Sequence, residues 1–259
     1  MHLILTGATG LIGSAVLDAM IKMKEVTKIS ILSRRRVAMA EAANDQRINV
    51  IINEDFEKYD AAVLSQLEGA QGCVWALGTH QYGVGRESAP PSPEEPSQDQ
   101  PPSPEESSQD LPPSPVEPFR FIYVSGLGAE TGTSNEYLDH IWCVKGRAEY
   151  ALATMRKKDA KRFHALSVRP GLVDGRAHEA IQSYIPTAPL MEDMLSSGMM
   201  SLRPSILSPT EPLGTFLTKL AMGRYDEVLQ VAGNGVQQIG GFPILDNSAF
   251  RRMAMLDSI

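Results

Sequence analysis

Leu3-Ile4-Leu5-Thr6-Gly7-Ala8-Thr9-Gly10-Leu11-Ile12-Gly13 is the stretch that decides how this chain folds. A short apolar run meets glycines spaced G-x-x-G-x-x-G. An amphipathic stretch follows, with Ala15, Val16, Leu17, Met20 and Ile21 as its apolar stripe. The order predicts a strand, a tight turn and a helix N-terminus. Such a turn offers backbone N–H groups and the positive end of a helix dipole to a phosphate. Gly7 permits the sharp turn, Gly10 lets a pyrophosphate approach the backbone, and Gly13 lets helix and strand pack closely. Taken alone, three glycines near a strand end also suit an ordinary turn.

Lys28-Ile29-Ser30-Ile31-Leu32-Ser33 reads as a second strand, ending in Arg34-Arg35-Arg36. In a dinucleotide fold the residue just past this strand faces the adenosine ribose. An acid there suits a free 2′-hydroxyl, and an arginine suits a 2′-phosphate. Three arginines and no acid favour NADP over NAD; a solvated basic turn would have the same composition. Ile48 to Ile52 predicts strand three, Ala61 to Leu67 a short helix, and Gly72 to Leu77 strand four, opening into Gly78-Thr79. Alternation of β and α with short connections predicts an α/β fold with a parallel sheet.

The pattern then breaks. Residues 88–118 hold 11 of the chain's 18 prolines, in tandem 11-residue repeats: PPSPEEPSQDQ from Pro90, PPSPEESSQDL from Pro101, and a truncated third copy from Pro112. Only Ala89, Leu111 and Val116 are apolar there, too little to offset the entropy of ordering. This segment reads as a disordered, acidic insert with polyproline II bias. Its Ser-Pro pairs at Ser92, Ser103 and Ser114 suit proline-directed kinases, but Ser-Pro is also what the repeat is made of. Strands four and five flank it and must be parallel, so a crossover is needed, and such crossovers normally carry a covering helix. None is legible. Part of the sheet is left open or covered by a partner, or the repeat has replaced a helix.

Order returns with Phe119 to Val124 as strand five, ending in Ser125-Gly126. A helix follows from Ile141 to Met155, then a sixth strand from His164 to Val168, ending in Arg169-Pro170-Gly171. Beyond it, Ile181 to Ile185, Leu190 to Leu195 and Leu213 to Met222 predict helices, and Val228 to Val231 a last strand. The expected organisation is one domain over 1–259, with 172–259 as its substrate-side C-terminal part.

The net charge of −7 is local. Seven acidic and no basic residues lie within 88–118, leaving 24 acidic against 24 basic elsewhere. No Lys/Arg block points to nucleic acid. Two cysteines, Cys73 and Cys143, suggest a reducing compartment and no metal cluster. The N-terminus lacks a basic leader region, and no apolar run reaches the roughly 18 residues of a membrane span. A cytoplasmic location is expected.

In these landmarks the chain resembles the atypical branch of the short-chain dehydrogenase/reductase superfamily. It looks most like the small oxidoreductases related to a Tat-interacting protein, and their fungal relatives. The residues that carry the resemblance are Thr6 to Gly13, Ser33-Arg34-Arg35, Glu54-Asp55-Phe56-Glu57-Lys58, Leu77-Gly78-Thr79, Tyr123-Val124-Ser125, Val144-Lys145-Gly146 and Arg169-Pro170-Gly171. The resemblance covers about residues 1–80 and 119–175. It implies a Rossmann-type, doubly wound sheet holding NADP. It implies phosphate contact at Gly7, Thr9, Gly10, Leu11, Ile12 and Gly13 and at Arg34 and Arg35. Adenine contact is implied near Asp55 and Phe56, and nicotinamide contact near Gly78, Thr79, Pro170 and Gly171. For catalysis it implies a Ser–Tyr–Lys set acting on a small carbonyl substrate: Ser125 holds the carbonyl, a tyrosine donates the proton, and Lys145 lowers the tyrosine's pKa and holds the ribose. An i, i+4 spacing puts tyrosine and lysine on one helix face.

The sequence departs from that pattern where the proton donor belongs. Ile141 stands four residues before Lys145, with Trp142 beside it. Tyr137 is the nearest tyrosine before the lysine, about 12 Å away along a continuous helix, so it serves only if a loop folds back over the site. Asp139 and His140 are other proton carriers nearby, and equally suit a solvated helix approach. Tyr150 reads as packing. Lys145 equally suits ribose binding alone, and Ser125 a strand-end cap. Two functions follow: an NADP-dependent carbonyl/alcohol oxidoreductase with a degenerate site, or a non-catalytic NADP-binding redox sensor. A sensor would engage a protein partner through the 88–118 arm or the uncovered sheet face.

Overall fold

A computed structural model describes residues 1–78, 117–129, 140–185 and 204–256. The elements run β1 (His2–Thr6), α1 (Leu11–Lys22), β2 (Lys28–Ser33), α2 (Ala38–Ala43), β3 (Ile48–Ile52), α3 (Ala61–Leu67) and β4 (Gly72–Trp75). They continue with β5 (Phe119–Val124), α4 (His140–Lys158), β6 (Phe163–Val168), β7 (Leu172–Asp174), β8 (Leu207–Pro209), α5 (Thr210–Ala221), β9 (Val236–Ile239), β10 (Phe242–Leu245) and α6 (Asn247–Met253). The main sheet has eight strands in the order β3-β2-β1-β4-β5-β6-β10-β9, and every neighbouring pair is parallel except β9–β10. This is the expected doubly wound Rossmann-type sheet.

Alternation along the strands builds the core. Leu3 and Leu5 of β1 face one layer, with α1 and α5 packed over them through Val16, Met20, Phe216 and Leu217. Ile4 faces the other layer, where α3 lays Val63 against Leu32, Ile51 and Cys73. α4 covers the far end of that layer, with Ala153 against Ala165, Phe242 and Ile244. Between α3 and α4 runs an aromatic row, Phe56–Trp75–Phe121–Phe163, with ring centroids 5.8, 5.9 and 6.0 Å apart. The crossover from β4 to β5 passes through residues 79–116. These lie outside the described residues, and with them the expected disordered repeat, its Ser-Pro sites and the interaction arm. The helix expected over Leu190 to Leu195 lies outside them too.

The C-terminal third differs from expectation. Val228–Gln230 is a 3-10 turn, not a strand: Leu229 is buried while Val228 and Val231 are 49% and 71% exposed. The last strands are instead β9 and β10, a hairpin turning at Gly240-Gly241 with φ of 57° and 87°. Positive φ at both central residues is what a tight hairpin matching the strand twist requires. Ile181 to Ile185, read as a helix, is a 3-10 turn at Glu179–Ile181 and bends beyond it. The helices α2 and α6 were not expected; α6 is capped by Asp246, whose Oδ1 accepts the Ala249 N–H at 3.0 Å.

β10 joins β6 over two residue pairs only, Ile244↔Ser167 and Leu245↔Val168. One step further, residue 243 would donate to the Ala165 carbonyl, and Pro243 has no N–H. The strands part there. A buried polar pin ties the opposite side together. His178 Nδ1 meets Thr210 Oγ1 at 3.1 Å and its Nε2 meets Asp18 Oδ2 at 3.1 Å, joining α1 to the start of α5. Lys22 Nζ lies 2.7 Å from Asp18 and 3.3 Å from Glu211, so one ammonium is shared by the two carboxylates beside that histidine.

Candidate functional site

The carboxyl ends of the parallel strands gather the residues that the sequence singled out. β1 runs into Gly7, β2 into Arg34 and Arg35, β3 into Asp55 and Phe56, β4 into Gly78, β5 into Ser125, and β6 into Arg169-Pro170-Gly171. From neighbouring β1 and β4 the chain crosses toward opposite edges of the sheet, β1 to β2 and β4 to β5. A crevice above such a switch point is where open α/β sheets bind ligands.

The glycine loop is held by contacts that no side chain could share. Gly7 has φ of +75°, and a Cβ on it would lie 2.4 Å from the Ala76 carbonyl oxygen. A Cβ on Gly13 would lie 1.9 Å from the Gly7 oxygen. The Gly10 N–H donates to Gly7 O at 2.9 Å, and Ser14 Oγ donates to Ala8 O at 3.1 Å. α1 has neither a side-chain cap nor an acid in its first turn. Its first N–H groups, at Leu11, Ile12 and Gly13, have no partner further back in the helix and suit an anion.

Beside the loop opens a cavity of about 400 Å³ lined by Gly7, Thr9, Ser33, Arg34, Arg35 and Phe56. The three arginines divide their work. Arg36 Nε pairs with Glu41 at 2.7 Å, and Arg35 Nη2 donates to Thr9 Oγ1 at 3.2 Å, reaching across to the glycine loop. Arg34 is exposed, with no bonded partner among the described residues. Asp55 lies at the rim; its Oδ1 accepts the Glu57 N–H at 2.9 Å and its Oδ2 pairs with Lys58 at 3.4 Å. Bare helix N–H groups, a loop with no room for side chains and a basic rim suit a dinucleotide phosphate; the residues present fit an NAD(P) cofactor.

The other half of the rim centres on α4. Lys145 Nζ donates to the Ser125 main-chain oxygen at 2.8 Å. Burial pushes the Lys145 pKa below its usual value, with the Glu149 charge opposing. Ser125 is 3% exposed, and its Oγ has no hydrogen-bond partner among the described residues. One turn beyond Lys145, Glu149 is fully buried and accepts from Ser167 Oγ at 2.7 Å and Arg169 Nε at 3.0 Å; Arg169 Nη2 reaches its second oxygen. Burial, then the Glu149 charge, pushes the Tyr123 phenol up to about 12. The pair Glu149–Arg169 fastens α4 to the segment carrying Pro170 and Gly171. A second clamp holds Gly171: its N–H donates to Ser208 Oγ at 2.9 Å, and Ser208 donates to Asn247 Oδ1 at 2.6 Å.

Thr79, Tyr137 and Asp139 lie outside the described residues. His140 opens α4, and Ile141 follows it one turn before Lys145. Tyr150, expected to pack, is 65% exposed. Its position, five residues past Lys145, turns it away from the helix face that carries Lys145 and Glu149. Sequence reasoning passed over the Glu149–Arg169 pair and the Ser208–Asn247 clamp. The i, i+4 spacing of Lys145 and Glu149 was a usable signal for the first.

No protein-family model matches the chain. It is 30% identical over 255 residues to leucinostatins biosynthesis cluster protein T of Purpureocillium lilacinum, covering 90% of this chain and 89% of that protein. Botcinic acid biosynthesis cluster B protein 16 of Botryotinia fuckeliana is 36% identical over 142 residues, 52% of this chain and 85% of that protein. Among solved structures, a short-chain dehydrogenase/reductase from Saccharomyces cerevisiae superposes with a TM-score of 0.54 at 15% identity, over 95% of this chain and 96% of that one.

Proposed function

We propose, for a chain that belongs to the family of leucinostatins biosynthesis cluster protein T and shares the fold of the short-chain dehydrogenase/reductases, an NADP(H)-dependent oxidoreductase that interconverts a carbonyl and an alcohol. The observation that carries this reading is Lys145 Nζ, 2.8 Å from the Ser125 main-chain oxygen on the same rim as the glycine loop. NADPH supplies the hydride when bound. The loop N–H groups hold its pyrophosphate, and Arg34 and Arg35 its 2′-phosphate. Pro170 and Gly171, steadied by Ser208 and Arg169, bound the nicotinamide side. Ser125 Oγ, buried with no partner among the described residues, donates to the substrate's carbonyl oxygen. Lys145 holds the ribose. Ile141 cannot give a proton, so the alcohol's proton comes from Tyr137, His140 or water. Losing a good general acid typically costs 10²–10⁴-fold, which leaves measurable turnover.

Two relatives are named for biosynthesis clusters, which supports a biosynthetic substrate. Among the described residues no helix is long and apolar enough to cross a membrane, and Cys73 is a buried free thiol. Both are compatible with a reducing cytoplasm, where we place the protein.

The test pairs binding with turnover. NADPH is titrated by fluorescence, and a carbonyl panel is run with wild type, Lys145→Ala and Tyr137→Phe. Turnover abolished by Lys145→Ala supports the enzyme, and loss with Tyr137→Phe identifies the acid. Tight binding without turnover supports the redox sensor, the reading that Ile141 favours. A folded protein that binds no NADPH overturns both.

A further inference from the structure

The parting of β6 and β10 has a chemical consequence at the end of the sheet opposite the glycine loop. The Ala165 carbonyl that Pro243 cannot engage is taken by Arg156, which reaches from α4 and donates Nη1 to it at 2.7 Å. Between the parted strands lies a cavity of about 270 Å³. That is the volume of about nine waters at ~30 Å³ each. Arg120, Arg156, His164 and Asp226 supply its polar groups, and Leu166, Leu220 and Leu229 its apolar wall.

The ion pairing there is uneven. Asp226 Oδ2 takes both Nε and Nη2 of Arg120 at 2.9 Å, and Glu117 Oε2 lies 3.5 Å from its Nη1, so both carboxylates sit on Arg120. Burial and the nearby Arg156 push the His164 pKa down from 6.5, so the imidazole is uncharged at neutral pH. Arg156 is left with its backbone bond and no carboxylate within 4.0 Å among the described residues. Asp226 acts on Arg156 only from a distance, and a half-buried guanidinium with no direct ion-pair partner among the described residues gains from an anion placed on it. A single such guanidinium suits a monoanion, and three leucines suit an alkyl chain.

We propose that this cavity is a second ligand site, which binds a small aliphatic monocarboxylate with its carboxylate on Arg156. The site lies toward the amino end of β6, where His164 and Leu166 line it, about 10–17 Å along the strand from Arg169 at the rim. It is independent of the cofactor reading above.

Calorimetric titration of the full chain with hexanoate, hexanamide and inorganic phosphate tests it. Hexanoate is expected to bind at least tenfold tighter than the amide and tighter than phosphate, and equally well with saturating NADPH present. Arg156→Gln is expected to weaken hexanoate at least tenfold. A measurement on wild type covers the case in which that variant fails to fold: hexanoate should slow phenylglyoxal modification of Arg156, read by mass spectrometry, at least threefold. Equal binding of acid and amide, tighter binding of phosphate, competition with NADPH, or an Arg156 that hexanoate leaves unprotected would each overturn the proposal.

Discussion

Replacing Glu149 by glutamine should unfold this protein more readily than any comparably small change on its surface. The carboxylate is fully buried and its partner Arg169 is 15% exposed. The pair is bonded through both carboxylate oxygens, with Ser167 Oγ as a third donor at 2.7 Å. Glutamine keeps the volume but removes the charge and turns an N–H₂ group toward donors. Breaking a buried pair by removing one partner costs about 3–5 kcal/mol. In a chain of this size each kcal/mol moves Tm by about 2–4 °C, so the melt should fall by roughly 6–20 °C. Urea unfolding followed by circular dichroism gives the free energy directly. The double variant Glu149→Leu/Arg169→Met is the decisive companion, because removing both charges leaves neither uncompensated. It should recover most of the loss, giving a coupling of about 2 kcal/mol or more across the cycle. Its stability should return without its NADPH affinity, since Arg169 precedes Pro170 and Gly171. A single-variant cost under about 1 kcal/mol, or coupling near zero, would refute the view that this pair fastens α4 to the segment carrying Pro170 and Gly171.

Three further outcomes follow from the same rim. Ser125→Ala should leave unliganded stability unchanged or raise it by about 1 kcal/mol, because a buried hydroxyl with no partner among the described residues carries a desolvation cost, while turnover falls; a loss of stability in thermal melts contradicts that. Lys145 has a folded pKa below its unfolded value near 10.4. The folded state therefore binds fewer protons over that interval, and wild type should gain on Lys145→Met as pH climbs through the alkaline range toward about 10.4; a stability gap flat from pH 7 to 10 would exclude it. Arg34→Ala/Arg35→Ala should weaken NADPH by about 10- to 100-fold, the loss of charge-assisted bonds worth ~1.5–3 kcal/mol, with NADH little changed; equal losses for both nucleotides in parallel titrations would remove the 2′-phosphate role.

What the sequence disclosed was local. The first strand and helix are legible because apolar periodicity and three glycines act within thirteen residues. α3 has the expected bounds because Asp60 caps it, accepting the Val63 N–H at 2.7 Å. Its strand-end signals place Ser125 and Arg169 on the correct rim. The pairing of Glu149 with Arg169 joins residues twenty apart, and that of Ser208 with Asn247 joins residues thirty-nine apart. Contacts over such separations are set by packing and leave no periodic trace. The β9–β10 hairpin was missed for a different reason. Gln237 and Gln238 read as loop, and Pro243 argues against a strand except at a pairing limit, which is where it stands. The exposed Val228 and Val231 competed for the strand assignment on hydrophobicity alone, which ignores whether a pairing partner exists.

The two-pair junction between β6 and β10 also bears on how the molecule opens. A hairpin attached by so short a ladder is a natural unit of partial unfolding, distinct from the other parallel pairings, which hold four to six residue pairs each. Amide hydrogen exchange should therefore be graded across one continuous sheet. The amides of β1, β2 and β5 would exchange only through global unfolding. Those of Val236–Ile239 would exchange through an excursion that frees the hairpin, breaking among others the bond from Gln238 Nε2 to Leu229 O at 2.7 Å. The eight strands would then be one sheet in geometry and two in cooperativity, with the seam at Pro243.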